Sequence, residues 1–183
     1  MLAFAAKFSD LSVELRNPNL AEDQVKVIDL VKSIIAEPRF DDFEQVGLFL
    51  PTCPFRTSSH IREGLNLLQK EDFSVVSICR KEEPLQLTVG MDSESKVLDK
   101  TAVLDPSPLV TGQTRSQDFQ SYYRVNGGFY ISWLKKLRLA DNFFQGTVKG
   151  YEMNSLASVD IDYNYDLEFA NLLLAGNYLS DNL

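Results

Sequence analysis

Ser158, Val159, Asp160, Ile161 and Asp162 set two carboxylates two residues apart in a short alternating run that leads into a helical pattern. In a strand, Asp160 and Asp162 point to one side and Val159 and Ile161 to the other, because side chains alternate with period two. Such a pair suits a hard divalent cation. Mg²⁺ takes oxygen ligands, uses only one or two carboxylates and completes its octahedron with water and phosphate oxygens. The spacing therefore points to phosphate chemistry. The ordinary alternative is a pair of solvated turn or cap residues, and the pair alone leaves both readings open.

The elements that must position these carboxylates follow from periodicity and punctuation. Residues 2 to 9 read as the end of an amphipathic helix, and Leu11 to Leu15 as a short strand closing at Arg16-Asn17-Pro18. Val25, Ile28, Val31, Ile34 and Ile35 recur at helical spacing between Glu22 and Ala36, with Pro38 just beyond. The apolar run from Gln45 to Leu50 predicts a buried parallel strand stopped by Pro51-Thr52-Cys53-Pro54. Thr57 or Ser58 caps a helix running to Lys70, with His60 in its first turn facing solvent, and Ser74 to Cys79 is a second buried strand. Strand, helix, strand in this order predicts a right-handed crossover and an α/β sheet. Residues 105 to 118 are loop, Gly128 to Ser132 and Thr147 to Met153 strands, and Asp166 to Tyr178 a helix with Asn164 as a candidate cap.

Composition bounds the function. The chain has 183 residues, 44% of them hydrophobic and 24% charged, which fits one globular domain. A formal charge of −8 opposes non-specific nucleic-acid binding, which needs clustered Lys and Arg. Cys53, Cys79 and a lone histidine, His60, support neither a disulfide framework nor a zinc site. Reduced thiols in a cytoplasmic protein are the expectation. The apolar opening Met1 to Ala6 lacks preceding basic residues and is interrupted by Lys7, so it does not read as a signal peptide. No stretch approaches the roughly 20 apolar residues that span a bilayer, so no membrane location is expected.

Four segments carry a resemblance: Arg16-Asn17-Pro18-Asn19-Leu20-Ala21-Glu22-Asp23, Leu50-Pro51-Thr52-Cys53-Pro54-Phe55-Arg56-Thr57, Tyr123-Arg124-Val125-Asn126-Gly127-Gly128-Phe129-Tyr130-Ile131 and Ser158-Val159-Asp160-Ile161-Asp162. Their order and spacing resemble the acylneuraminate cytidylyltransferases, whose forms read R-P-x-E-L-A-x-D, Q-P-T-S-P-L-R-T, R-x-N-G-A-I-Y-I and S-I-D-I-D-T. The resemblance implies a Rossmann-like nucleotide-diphospho-sugar transferase fold with a mostly parallel central sheet. It also implies transfer of CMP from CTP to a sialic-acid-like nonulosonic acid, with pyrophosphate leaving. The chemistry requires phosphate charge neutralisation, in-line positioning and capture of a sugar carboxylate.

By the same resemblance, Asp160 and Asp162 hold Mg²⁺ and are catalytic with Arg115, whose planar guanidinium meets the sugar carboxylate. Arg16, Arg56, Arg124, Asn126 and Tyr130 bind substrate, and Gly127 and Gly128 permit close backbone approach. Asn142-Phe143-Phe144 resembles a segment whose aromatics reach the partner's sugar pocket, which implies a homodimer and makes residues 133–157 a dimerisation and sugar-pocket segment. Ordinary readings stand beside these. Arg56 and Arg124 could form surface ion pairs, Tyr130 core packing, and Phe143-Phe144 the closure of a core. Cys53, at a position usually serine in the family, reads as a small buried thiol.

The family pattern also opens with a strand and a basic loop of the form R-x-G-S-K-G that cradles the triphosphate, and residues 1–183 contain no such loop. The expectation is one cytidylyltransferase-like domain, incomplete at its N-terminus and lacking its first strands, with the Leu11 strand detached from the Gln45 strand and apolar edges exposed. A mis-called start, a split protein completed by an upstream chain, or a degenerate relative would each produce this. The rivals to an active enzyme are thus an inactive remnant or partner subunit, and a related transferase acting on another sugar acid such as a 3-deoxy-octulosonate. Leu50 in place of glutamine, and Lys26-Val27 in place of small hydroxylated residues, remove expected pocket hydrogen bonds, each worth about 1–3 kcal/mol if a buried group is left unpaired.

Overall fold

The computed structural model describes residues 7–8, 11–22 and 24–179. The helix expected over residues 2 to 9 falls largely outside the described residues. Helix α1 (Val27–Ile35) buries Val31 and Ile35, four residues apart on one face. It starts later than the periodicity predicts: Pro18–Leu20 form a 3-10 turn capped by Asn17, and Lys26 is extended with no side-chain cap. Strand β1 (Gln45–Leu48) follows, then helix α2 (Ser58–Leu67), strand β2 (Ser74–Arg80), a hairpin of β3 (Gly90–Met91) and β4 (Leu98–Asp99), and a single helical turn α3 (Pro108–Thr111). Strand β5 (Tyr123–Trp133), helix α4 (Leu134–Arg138), strand β6 (Val148–Glu152) and helix α5 (Asn164–Ala175) complete the order.

The main sheet runs β1-β5-β2-β6. Strand β5 is antiparallel to both β1 and β2, while β2 and β6 are parallel. The fold is thus α/β with a mixed sheet. β1, β2 and β6 share one direction, but the Gln45 strand makes no parallel pairing among the described residues, because reversed β5 is inserted between it and β2. Periodicity fixes faces and carries no direction, which is why a buried run such as Gln45 to Leu50 reads equally well either way.

Both faces are covered. Val75, Phe129, Ile131, Met153, Ala157 and Cys53 form one core with Leu65, Leu67 and Leu68 around α2. Gly64 of α2 lets that helix lie against the sheet: a Cβ there would meet the Phe129 ring at 2.5 Å. On the other face, Val31, Ile35, Leu134, Leu137, Ala140 and Phe143 pack with Val46, Leu48 and Tyr130. A third cluster joins Phe55 to Ala170, Leu173 and Leu179, with Leu156, Val159 and Ile161 against it.

The expected Leu11–Leu15 strand does not form. Residues 11 to 15 have no regular structure, and Leu11, Val13 and Leu15 are 51%, 42% and 93% exposed. A strand needs a neighbour to satisfy its backbone groups, and none pairs with this stretch among the described residues. His60 is a second correction, being buried and not solvent-facing. Its Nδ1 accepts from the Thr57 N–H at 3.2 Å, while its own N–H donates to Thr57 Oγ1 at 3.3 Å, so it closes a capping box. No described helix is long and apolar enough to cross a membrane.

Candidate active site

The Asp160 segment is not a strand. Its backbone turns at Ser155 to Ser158, with Ser158 N–H bonded to Ser155 O at 3.2 Å, and among the described residues its one backbone bond to a distant segment runs from Ile161 N–H to Thr52 O at 2.8 Å. One such bond does not make a ladder. The alternation survives in part: Val159 and Ile161 pack into the α5 cluster, whereas Asp160 is half-buried and Asp162 exposed. Asp160 Oδ1 is buried without a hydrogen-bond partner among the described residues. Helix α5 begins earlier than predicted, and its cap is not Asn164. Asp166 Oδ2 accepts from the N–H groups of Tyr163 at 2.8 Å and Asp162 at 3.1 Å.

Opposite this segment, β5 bulges. Val76 pairs with Tyr130 and Ile78 with Val125, so the four residues 126–129 face Ser77 alone. The Ser77 hydroxyl accepts from Phe129 N–H at 2.7 Å, and Gly127 adopts φ +74°. Asn126 is wholly buried: its Oδ1 accepts from Gly128 N–H at 3.1 Å and its Nδ2 donates to Ser158 Oγ at 2.8 Å. Arg124 Nη2 donates to Ser158 O at 2.9 Å. Arg56 Nη1 donates to Gly128 O at 2.6 Å and Leu50 O at 3.2 Å, with the guanidinium 5.1 Å from the Phe49 ring centre. Leu50 packs toward Gly127, where a Cβ would lie 3.1 Å from Leu50 Cδ1.

Asp160, Arg56, Arg124 and Cys53 share one electrostatic neighbourhood. Burial pushes the Cys53 thiol above its usual value, Asp160 adds to this, and Arg56 and Arg124 oppose it. Cys53 is 1% exposed, as the small-thiol reading expects. Burial likewise raises the Tyr130 phenol, with Asp160 contributing. Tyr130 packs against Phe143 and Phe144, ring centres 5.5 and 6.3 Å away. The aromatic pair divides its duties, since Phe143 is buried and Phe144 is 52% exposed.

Other expected residues stand apart. Arg16 is exposed in the irregular N-terminal stretch. Arg115 lies on the loop after α3, 73% exposed and 3.6 Å from Asp118. It lines a cavity of about 480 Å³ with Gln113, Thr114 and Phe119. Arg124 lines a cavity of about 200 Å³ with Arg80, Lys81 and Ser155. Between them, a cavity of about 240 Å³ shares Arg80 and Lys81 with one and Phe119 with the other. The two arginines are thus joined by a chain of adjoining cavities, not by contact. Gln86 in the middle cavity was missed from sequence. It is 7% exposed, donates to Gln120 O at 2.7 Å and leaves Oε1 buried without a partner among the described residues.

No family model matches the chain. It is 27% identical over 157 residues to an N-acylneuraminate cytidylyltransferase of Streptococcus agalactiae serotype V, covering 85% of this chain and 36% of that protein. It is 29% identical over 158 residues to the N-acylneuraminate cytidylyltransferase of Escherichia coli O18:K1:H7, covering 85% and 35%. A CMP-N,N'-diacetyllegionaminic acid synthase of Legionella pneumophila is 28% identical over 172 residues, covering 89% and 68%. The chain therefore spans about a third of the length of the first two relatives.

Proposed function

We propose, from its sequence similarity to N-acylneuraminate cytidylyltransferases and a CMP-N,N'-diacetyllegionaminic acid synthase, that the chain serves transfer of CMP from CTP to a sialic-acid-like nonulosonic acid, with release of pyrophosphate. The observation that carries this reading is the buried Oδ1 of Asp160, without a hydrogen-bond partner among the described residues, in a site where Asp160, Arg56 and Arg124 all act on Cys53. A buried carboxylate oxygen without a donor is costly unless a cation meets it. Magnesium would be held by Asp160 and Asp162 and would supply charge neutralisation on the triphosphate. No group of three or more His, Cys, Asp or Glu could hold a metal among the described residues, and two carboxylates fit an ion whose other ligands are water and phosphate.

The sugar acid is proposed to lie along the adjoining cavities between Arg124 and Arg115. Arg115 is exposed enough to give its guanidinium fork to a carboxylate. Tyr130 and Phe144 supply an apolar wall. Arg16 would approach the nucleotide. The exposure of Phe144 supports a homodimer through residues 133–157, in which this ring enters the partner's pocket. A cytoplasmic location belongs to the same proposal and is supported by two free cysteines.

A second reading is favoured by one observation. The outer edge of β1 carries no strand among the described residues, so this chain could be a partner that works only when another segment pairs there. Mg²⁺-dependent pyrophosphate release from CTP and a sialic-type acid separates the two. Turnover by the 183 residues alone removes the need for completion, and turnover only after addition of a loop-bearing segment establishes it. In whichever form turns over, Asp162→Asn is expected to lower release about a hundredfold, and an unchanged rate would refute the metal assignment.

A further inference from the structure

The residues around Ser158 are arranged to fix one carboxylate. Ser158 is wholly buried. Its Oγ accepts from Asn126 Nδ2 at 2.8 Å and donates to Met153 O at 3.5 Å, and its carbonyl accepts from Arg124 Nη2 at 2.9 Å. Two residues later Asp160 presents its unpartnered Oδ1, and directly after it Ile161 N–H is tied to Thr52 O at 2.8 Å. Val159 and Ile161 are held by the cluster around Phe55 and Leu173. Asp160 is therefore fastened on both sides in sequence while its Oδ1 has no hydrogen-bond partner among the described residues. Asn126 is 0% exposed and engaged at both ends of its amide, so it does not reach a ligand.

We propose that Ser158 is a positioning residue, clamped between Arg124 and Asn126 on the bulge of β5, and that Arg124 and Asn126 serve the site by holding the Asp160 carboxylate in place. The inference rests on the metal reading above only for its purpose; the clamp itself stands on the hydrogen bonds. Buried polar groups with fixed partners specify one backbone position, and a site held this way needs no reorganisation when charge arrives. The chemistry served is recognition of a divalent cation by a carboxylate that is already in position.

The test reads amide hydrogen exchange and Mn²⁺ affinity on the full chain. In the metal-free protein, Ser158→Ala is expected to speed exchange of the Ile161 amide about tenfold while the Val76 and Tyr130 ladder amides keep their protection. The same variant is expected to weaken Mn²⁺ binding in the presence of CTP, read by electron paramagnetic resonance. Asp160→Asn should weaken Mn²⁺ binding and leave Ile161 exchange unchanged. An Ile161 rate in Ser158→Ala equal to wild type overturns the clamp, whatever the metal does. Absence of Mn²⁺ binding by the wild type, with the exchange difference intact, removes the metal reading and leaves the clamp standing. Should Ser158→Ala lose ladder protection throughout, Arg124→Met and Arg124→Lys decide the matter. Lysine keeps a donor for Ser158 O and should retain slow Ile161 exchange that methionine, which has none, loses, and equal rates in the two overturn the proposal.

Discussion

Phe129, Ser74, Ser77 and Ser132 in the middle of the sheet are wholly buried, whereas Leu11, Val13 and Leu15 ahead of β1 stand between 42% and 93% open to solvent. Both stretches read as strands from sequence, so the local pattern alone does not explain the difference. The middle has neighbours on both sides: Ser74 Oγ donates to Phe143 O, and Ser132 Oγ to Phe73 O at 2.6 Å. The stretch before β1 has no strand neighbour among the described residues, although Glu14 pairs with Arg39. An alternating run becomes a strand only when another strand meets its backbone groups, and without that pairing its apolar side chains are left in water.

The sharpest way to break this contrast is to remove its centre. Phe129→Ala empties the space between β5 and Gly64 and is expected to cost about 3–5 kcal/mol in urea unfolding, since the rigid sheet cannot close the cavity. A loss below about 1 kcal/mol would mean that the middle is not close-packed.

A smaller effect probes the flank of the packed half. Burial holds the His60 imidazole below its ordinary value, with Glu63 partly offsetting it. Between that depressed value and about 6.5 the unfolded chain binds more protons than the folded one, so stability is full above the window and falls as pH drops through it. His60 is the only histidine, which makes the slope attributable. His60→Gln keeps a side-chain acceptor for the Thr57 N–H without titrating, and it should flatten the slope between pH 5 and 7 in thermal melts. A slope that persists would assign the pH response elsewhere.

The smallest effect belongs to the other side of the comparison. Leu15→Ser is expected to change unfolding free energy by no more than about 0.5 kcal/mol, as for exposed positions without partners. A cost several times larger would place that leucine in a packed environment and dissolve the distinction.

Much of the molecule was legible in sequence because local signals agreed. Thr57 at a cap and Ser74 to Cys79 as a buried run led directly to α2 and β2. The reversal of β5 was not legible, since the side-chain pattern of Gly128 to Ser132 carries no strand direction. Nor was the bulge, which depends on Ser77, 52 residues away from Phe129. At the site, the motif pointed to Asp160 and Asp162, but the burial of the first and exposure of the second follow from tertiary bonds. Ser158 stands inside the same motif with no charge to mark it, and its bonds reach partners 32 and 34 residues upstream. The resemblance gives Arg115 and Arg124 to one substrate, while in the structure each lines its own cavity.

The bulge in β5 has a consequence for how this chain can change. Val76–Tyr130 and Ile78–Val125 keep separate registers on either side of it, joined through residues 126–129. Phe129 and Asn126 in that span are both wholly buried, the first in the core and the second against Ser158, so adding or deleting a residue there would be felt at both places. Sheet packing and carboxylate placement thus share one short joint, and neither can be re-registered without the other.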